Sequence, residues 1–267
     1  MIFLEYKYDI ININPNNIFF SIHNNYKNIM KNLELLKVYN FDKKIRLGAN
    51  QDGGYVIGDI DEKYDCYISA GISYEESFSR DFLNKYTYLN KNNCYAYDGT
   101  IDNYPYQYTK NILFIKKNIN SYNDNNNSNL FFLINNYNNI FLKMDIEGYE
   151  YEWLLHIDEN NLNKFKQIVI EFHGINGNNW NYHYNDKIKC LKKLSKTHYL
   201  IHVHGNNYSH AIYNIPDIIE LTYINKNYFN SIPELNTHPL PIANLDFPNN
   251  NSCYDYNLNF YPFVNKN

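Results

Sequence analysis

The 267-residue chain has a formal net charge of −4, 29 tyrosines and asparagine at about one residue in five. It lacks the basic excess of a general nucleic-acid binder, and its length suits one large α/β domain or a domain with an appendage. The Asn and Tyr excess reads first as coding bias and core filling, and only second as a carbohydrate-stacking surface.

Residues 1–42 mix Asn, Tyr and Ile without a clean period and are set apart as an N-terminal extension, partly helical over Tyr26–Tyr39. Residues 43–267 read as the main domain. IRLGANQDGGYVIGD (45–59) predicts a strand, a Gly-rich turn and a second strand. That pattern is equally compatible with an ordinary hairpin and with a ligand loop.

From Tyr64 the pattern becomes regular. YDCYISAG (64–71) predicts a buried parallel strand, and SYEESFSRDFLNKY (73–86) a helix capped by Ser73. CYAYDG (94–99) and NILFIKK (111–117) predict the second and third strands, and SNLFFLINNY (128–137) a helix. NIFLKMDIEG (139–148) is the fourth strand and YEYEWLLHI (149–157) its helix. QIVIEFHG (167–174), a helix within 185–196, HYLIHVHG (198–205) and DIIELTYI (217–224) complete the series. Alternation of this kind implies an α/β fold with a seven-stranded, mostly parallel sheet and helices on both faces. The tail 238–252 is rich in Pro and Asn and irregular.

Cys66, Cys94, Cys190 and Cys253 form no C-x-x-C pair, so neither a zinc knuckle nor a redox motif is expected. With no signal-peptide pattern and no apolar run long enough to span a bilayer, the expectation is a cytoplasmic protein without a membrane span.

In an open parallel sheet, ligands bind outside the carboxyl ends of the strands. Those ends carry Gly71 and Ser73, then Asp98, then Asp145 and Glu147, then Glu171 and His173, then His202 and His204. The glycine turn lacks a full G-x-G-x-x-G, which weakens a dinucleotide site. Asp98 stands where an acid accepts ribose hydroxyls, although a turn or cap role fits that residue equally well. The remaining residues come as i, i+2 pairs, whose side chains share one strand face. Asp145, Glu171 and His173 are a plausible oxygen-and-imidazole set for Mg²⁺ or another hard divalent ion. Glu150 and Glu152 open the next helix and read as solvated charges favoured by its dipole.

The ordered series RLGANQDGGYVI, SAGISYEESF, YAYDGT, FLKMDIEGYEYEWL, IVIEFHGI, HVHGNNY, IPDIIELTYI and LPIANLDFPN resembles the FkbM-type methyltransferase family, over about Arg46 to Pro248. The resemblance implies a Rossmann-like class I methyltransferase fold, in which the seventh strand lies between the fifth and sixth. It implies S-adenosylmethionine as cofactor and the hydroxyl of a sugar or glycan as acceptor. Gly71 and Ser73 would border the methionine part, Asp98 would hold the ribose, and Asp145 would sit beside the methyl. The loop of Asp52, Gly53, Gly54 and Tyr55 would close over cofactor or substrate. Similar segments often place Glu after the helix Phe, where this chain has Ser79, and the Asn-rich stretch 123–129 looks like an insertion near Asn118.

A hydroxyl acceptor needs a base or a metal to activate it. The expected proton acceptor is His173, with His204 as the alternative, while Asp145 and Glu171 orient the hydroxyl or hold a divalent ion. Two competing readings are a catalytically inactive binding module of the same fold, for glycan or protein, and an NAD(P)-linked sugar enzyme.

Overall fold

The structure, a computed structural model, describes residues 32–176, 182–212 and 214–266. The chain divides into two compact units, Met1–Glu34 and Leu35–Asn267. Most of the expected N-terminal extension lies outside the described residues. Of the helix expected over Tyr26–Tyr39, the described part holds a single 3-10 turn, Leu33–Leu36.

Strands β1 (Lys44–Leu47) and β2 (Tyr55–Gly58) form an antiparallel hairpin, as the Gly-rich turn between two apolar runs predicts. Then follow β3 (Cys66–Ala70), α1 (Ser77–Lys85), β4 (Cys94–Tyr97), β5 (Leu113–Ile115), and the short pair β6 (Asn118–Ile119) and β7 (Asn127–Ser128). Next come α2 (Phe131–Asn136), β8 (Ile140–Met144), α3 (Glu150–His156), α4 (Glu159–Leu162) and β9 (Phe165–His173). The last are α5 (Tyr184–Thr197), β10 (His198–Gly205), the short β11 (Ala211–Ile212) and β12 (Ile215–Pro216), and β13 (Ile218–Asn225).

Seven strands form the main sheet in the order β10-β13-β9-β8-β3-β4-β5. Only β13 runs antiparallel to its neighbours; the other neighbouring pairs are parallel. Counted from β3, the seventh sheet strand lies between the fifth and the sixth. The chain is therefore an α/β protein with a mostly parallel seven-stranded sheet. CYISA and IFLKM, in β3 and β8, are buried at every position, as central strands with neither face open to water must be.

An aromatic cluster fixes the hairpin side of the core. Tyr67 stacks on Phe82 at 4.4 Å between ring centroids, and Phe82 meets Phe141 at 4.3 Å. The hairpin is held to the sheet by Gln167, whose amide exchanges hydrogen bonds with Gly58 N–H and C=O at 2.7 and 3.0 Å. On α5 the buried stripe Ile188, Leu191 and Leu194 has the helical spacing. Its neighbour Lys193 donates to the carbonyls of Leu154, Leu155 and Ile157, satisfying groups that the end of α3 leaves open.

Two helices begin later than their sequence patterns suggest. Ser73 is not the cap of α1: it has φ of +49° and gives its amide to Asp98, so the chain is still in a loop until Ser77. α2 starts at Phe131 because Leu130 takes a left-handed conformation, φ +64°.

Candidate functional site

The strand register brings the polar strand ends into one row. His204 on β10 lies opposite Glu220 on β13, and Glu220 lies opposite Glu171 on β9. Asp145 follows the last residue of β8, with its amide bonded to Ala70 C=O at 3.0 Å. The glycine at 71 is demanded by the protein's own backbone. It has φ of +77°, and a Cβ there would stand 1.5 Å from the Asp145 carbonyl oxygen.

His173 is the centre of the row. It is buried, and its Nε2 faces Glu147 Oε2 at 3.3 Å, Glu171 Oε1 at 3.8 Å and Asp145 Oδ1 at 3.9 Å. The ring's Nδ1 lies 3.1 Å from Glu150 Oε1. That same oxygen accepts the amides of Ile146 and Gly148, at 3.0 and 3.2 Å. Glu150 is therefore no solvated helix-start charge. It is fully buried, and it fixes both the imidazole and the loop that carries Asp145 and Glu147. Glu152 is also engaged, accepting from Ser121 Oγ at 2.6 Å and Tyr182 OH at 3.2 Å.

Electrostatics follow from this crowding. Burial disfavours the charged imidazole of His173, but the Glu150 hydrogen bond and the charges of Glu150, Glu171 and Asp145 outweigh it, raising its pKa to about 9. That direction works against the proton-acceptor role expected of His173 from sequence. Burial, then the charges of Asp145 and Glu220, pushes the Glu171 carboxyl well above the usual carboxylate range. Burial also raises Glu147, which His173 opposes. The side chain of Glu147 nonetheless remains 77% exposed, the most open carboxylate of the group.

The turn between the hairpin strands closes one side. Tyr55 OH donates to Asp145 Oδ2 at 3.1 Å and to Glu171 Oε2 at 3.3 Å, joining two acids that would otherwise repel. Lys143 lies 3.8 Å from Asp145 Oδ2 and donates to Gly71 C=O at 2.7 Å. Asp52 accepts from Asn249 Nδ2 at 3.1 Å, and the same amide donates to Glu220 at 2.7 Å, so the tail stitches the turn to β13. Gly53 has φ of +84°, and a Cβ there would meet Glu75.

Asp145, Glu171 and His173 each offer one ligand atom, and the three atoms lie within 4.8 Å of one another. His204 does not join them. Its Nδ1 faces Glu220 at 3.2 Å and its Nε2 faces Asp255 at 3.0 Å. Against the pull of burial, these acids hold its pKa well above the ordinary histidine value. His202 is bonded to Asp246 at 2.8 Å. Asp98 is equally occupied: Oδ2 accepts the amides of Ile72 and Ser73, both at 2.9 Å, and Oδ1 accepts the amide and hydroxyl of Thr100.

Glu220 and Lys143 are site residues absent from the sequence reading, which names Glu150 only as a solvated charge and Tyr55 only as part of the closing loop. Glu150 had a signal, because it lies on the stripe Glu150, Trp153, Leu154, Ile157, whose other members are apolar. Glu220 shares a strand face with Thr222, the i, i+2 logic already applied to its neighbours. No family model, no curated protein and no solved structure significantly matches the chain.

Proposed function

We propose that the chain is an S-adenosylmethionine-dependent O-methyltransferase of the FkbM type, with a class I fold, helices on both sheet faces, and a sugar or glycan hydroxyl as acceptor. One observation carries the reading: a sheet whose seventh strand inserts between the fifth and sixth, with an acidic row at the carboxyl ends of its strands. The donor set fits a positively charged cofactor, since Asp145 and Glu147 place carboxylates at the open mouth of that row. Asp145 and Glu147 would face its charged end, and Gly71 and Ser73 its methionine part. Asp98 would take the ribose by giving up the Thr100 hydroxyl.

When bound, S-adenosylmethionine supplies an electrophilic methyl group. The chain has to align the acceptor hydroxyl and take its proton; alignment alone is worth on the order of 7–11 kcal/mol in favourable cases. Glu147 takes the proton at its carboxylate. It is the exposed acid at the rim of the row, 3.3 Å from His173 Nε2. Tyr55 orients Asp145 and Glu171. The base role thus passes from His173 to Glu147.

The engaged carboxylate of Asp98 favours one competing reading, the inactive binding module. A methyl-donor assay over a panel of nucleotide sugars and glycans separates the two. Turnover that falls at least about 100-fold in Glu147→Gln supports the proposal. Equal turnover in that variant refutes the base assignment, and no turnover on any acceptor favours the binding module.

A further inference from the structure

We propose that residues 241–257 of the tail form a hinged flap over the Glu220 end of the acidic row, and that the hairpin turn opens with it. The neck carries this first. Leu240 and Leu258 are each 1% exposed, and the Leu258 amide donates to the Leu240 carbonyl at 3.2 Å. The two ends of the segment are therefore pinned together in the core, as in an Ω-loop. Between them no apolar side chain is buried: the buried residues of 241–257 are Asp246 and Asn249, both polar. A segment anchored at its neck, with no apolar burial in its body, lifts as a unit without uncovering the core.

Polar contacts fasten the body instead. On β10, His202 Nε2 lies 2.8 Å from Asp246 Oδ1, and His204 Nε2 lies 3.0 Å from Asp255 Oδ2. The two histidines share one strand face, so both fastenings lie on the same side of the sheet. In the loop after β10, Asn207 donates to the Asn250 carbonyl at 2.9 Å, and the Tyr256 hydroxyl donates to the Ser209 carbonyl at 2.5 Å. On β13, Glu220 accepts from Asn249 at 2.7 Å. Each of these bonds can be exchanged for one to water, so its net hold is small.

Arg46 joins the flap to the hairpin turn. Its guanidinium donates to the Ala49 and Gln51 carbonyls in the turn, at 2.8 and 2.9 Å, and to the Leu245 carbonyl in the flap at 3.2 Å. It also lies 5.2 Å from the Phe247 ring centroid. The Asp52 amide donates to the Asn249 carbonyl at 3.3 Å, and Asn251 Nδ2 donates to Gln51 Oε1 at 3.3 Å. Asn50, Gln51 and Asp52 are exposed, so the tip of the turn has no hold of its own in the core. Beneath the flap, Glu220 and His204 are buried, and Asn249 and Asp255 are the flap side chains that close on them. Lifting the flap admits solvent and ligand to that end of the row, whether or not the chain transfers methyl groups.

Carboxyl footprinting of the full chain with carbodiimide and glycine ethyl ester, read by mass spectrometry, tests the flap without any ligand. The internal control is Glu76, a buried acid that accepts from Ser69 and Tyr104. In wild type, Glu220 and Asp246 should label at least about tenfold faster than Glu76, because they are bared by a local opening. Asn249→Ala should raise Glu220 labelling by at least about threefold, the effect of losing a weak net fastening. The same variant should speed amide hydrogen exchange in both 49–54 and 241–257 and leave β8 unchanged. If Asn249→Ala fails to fold, Asp255→Asn, which loosens the His204 fastening, carries the same expectation. Glu220 labelling as slow as that of Glu76, in wild type and in the folded variant, overturns the flap. Exchange that rises in 241–257 but not in 49–54 overturns its coupling to the turn.

Discussion

His198 sits away from the acidic row and shows how a buried polar residue sets acid stability. It is buried between Thr197 Oγ1, 2.7 Å from Nδ1, and the Phe165 carbonyl, 2.8 Å from Nε2. Burial outweighs the Phe165 hydrogen bond and holds its pKa down, at about 4 against an ordinary 6.5. The unfolded chain therefore binds a proton more readily than the native one. The stabilising contribution is complete above pH 6.5 and is lost as pH falls toward 4, by about 3 kcal/mol over the whole window. Denaturant midpoints at pH 7 and pH 5 should thus draw closer together in His198→Gln than in wild type. An unchanged gap would place the acid limb elsewhere. At Gly71 the constraint is steric: φ is +77° and the Asp145 carbonyl occupies the place of a Cβ. Gly71→Ala should cost at least about 2 kcal/mol in chemical denaturation, from left-handed strain plus displacement of the β8 end. A cost below about 0.5 kcal/mol would show that the two strand ends can part freely.

Among the elements, β8 does most to place the site, because its last residues lead directly into Asp145. Its Phe141 ring contacts Phe82 at 4.3 Å, Tyr64 at 5.3 Å and Phe78 at 6.0 Å. Phe141→Ala should therefore cost about 3–5 kcal/mol by calorimetric melting, as expected for a fully enclosed aromatic. A loss under about 1 kcal/mol would mean the neighbouring rings collapse into the gap. The strands were legible because apolar runs bounded by Gly and Asn announce themselves: HYLIHVHG (198–205) matches β10 to the residue. Helix starts were less so. The beginning of α1 is set by Asp98, 25 residues away, taking the Ser73 amide, and no local pattern contains that contact. Glu150 was misread for another reason. Its position in the first turn invites a dipole reading, while its place on the buried stripe of α3 says core.

The whole molecule has a net charge of only −4, yet Asp52, Asp145, Glu147, Glu171 and Glu220 gather at one edge of the sheet. Composition hides such a concentration; register creates it, by setting Glu220 opposite Glu171. The tail adds Asp246, Asn249 and Asp255 to the same edge, and its irregular sequence gave no period from which to foresee those contacts. An acidic mouth of this kind suits a ligand that carries positive charge, which is the core of the methyltransferase reading. Calorimetric titration of the full chain with S-adenosylmethionine tests it most directly. The account predicts saturable binding of one molecule per chain, weakened at least about tenfold in Asp145→Asn. A folded wild-type protein that takes up no ligand at millimolar concentration would contradict it.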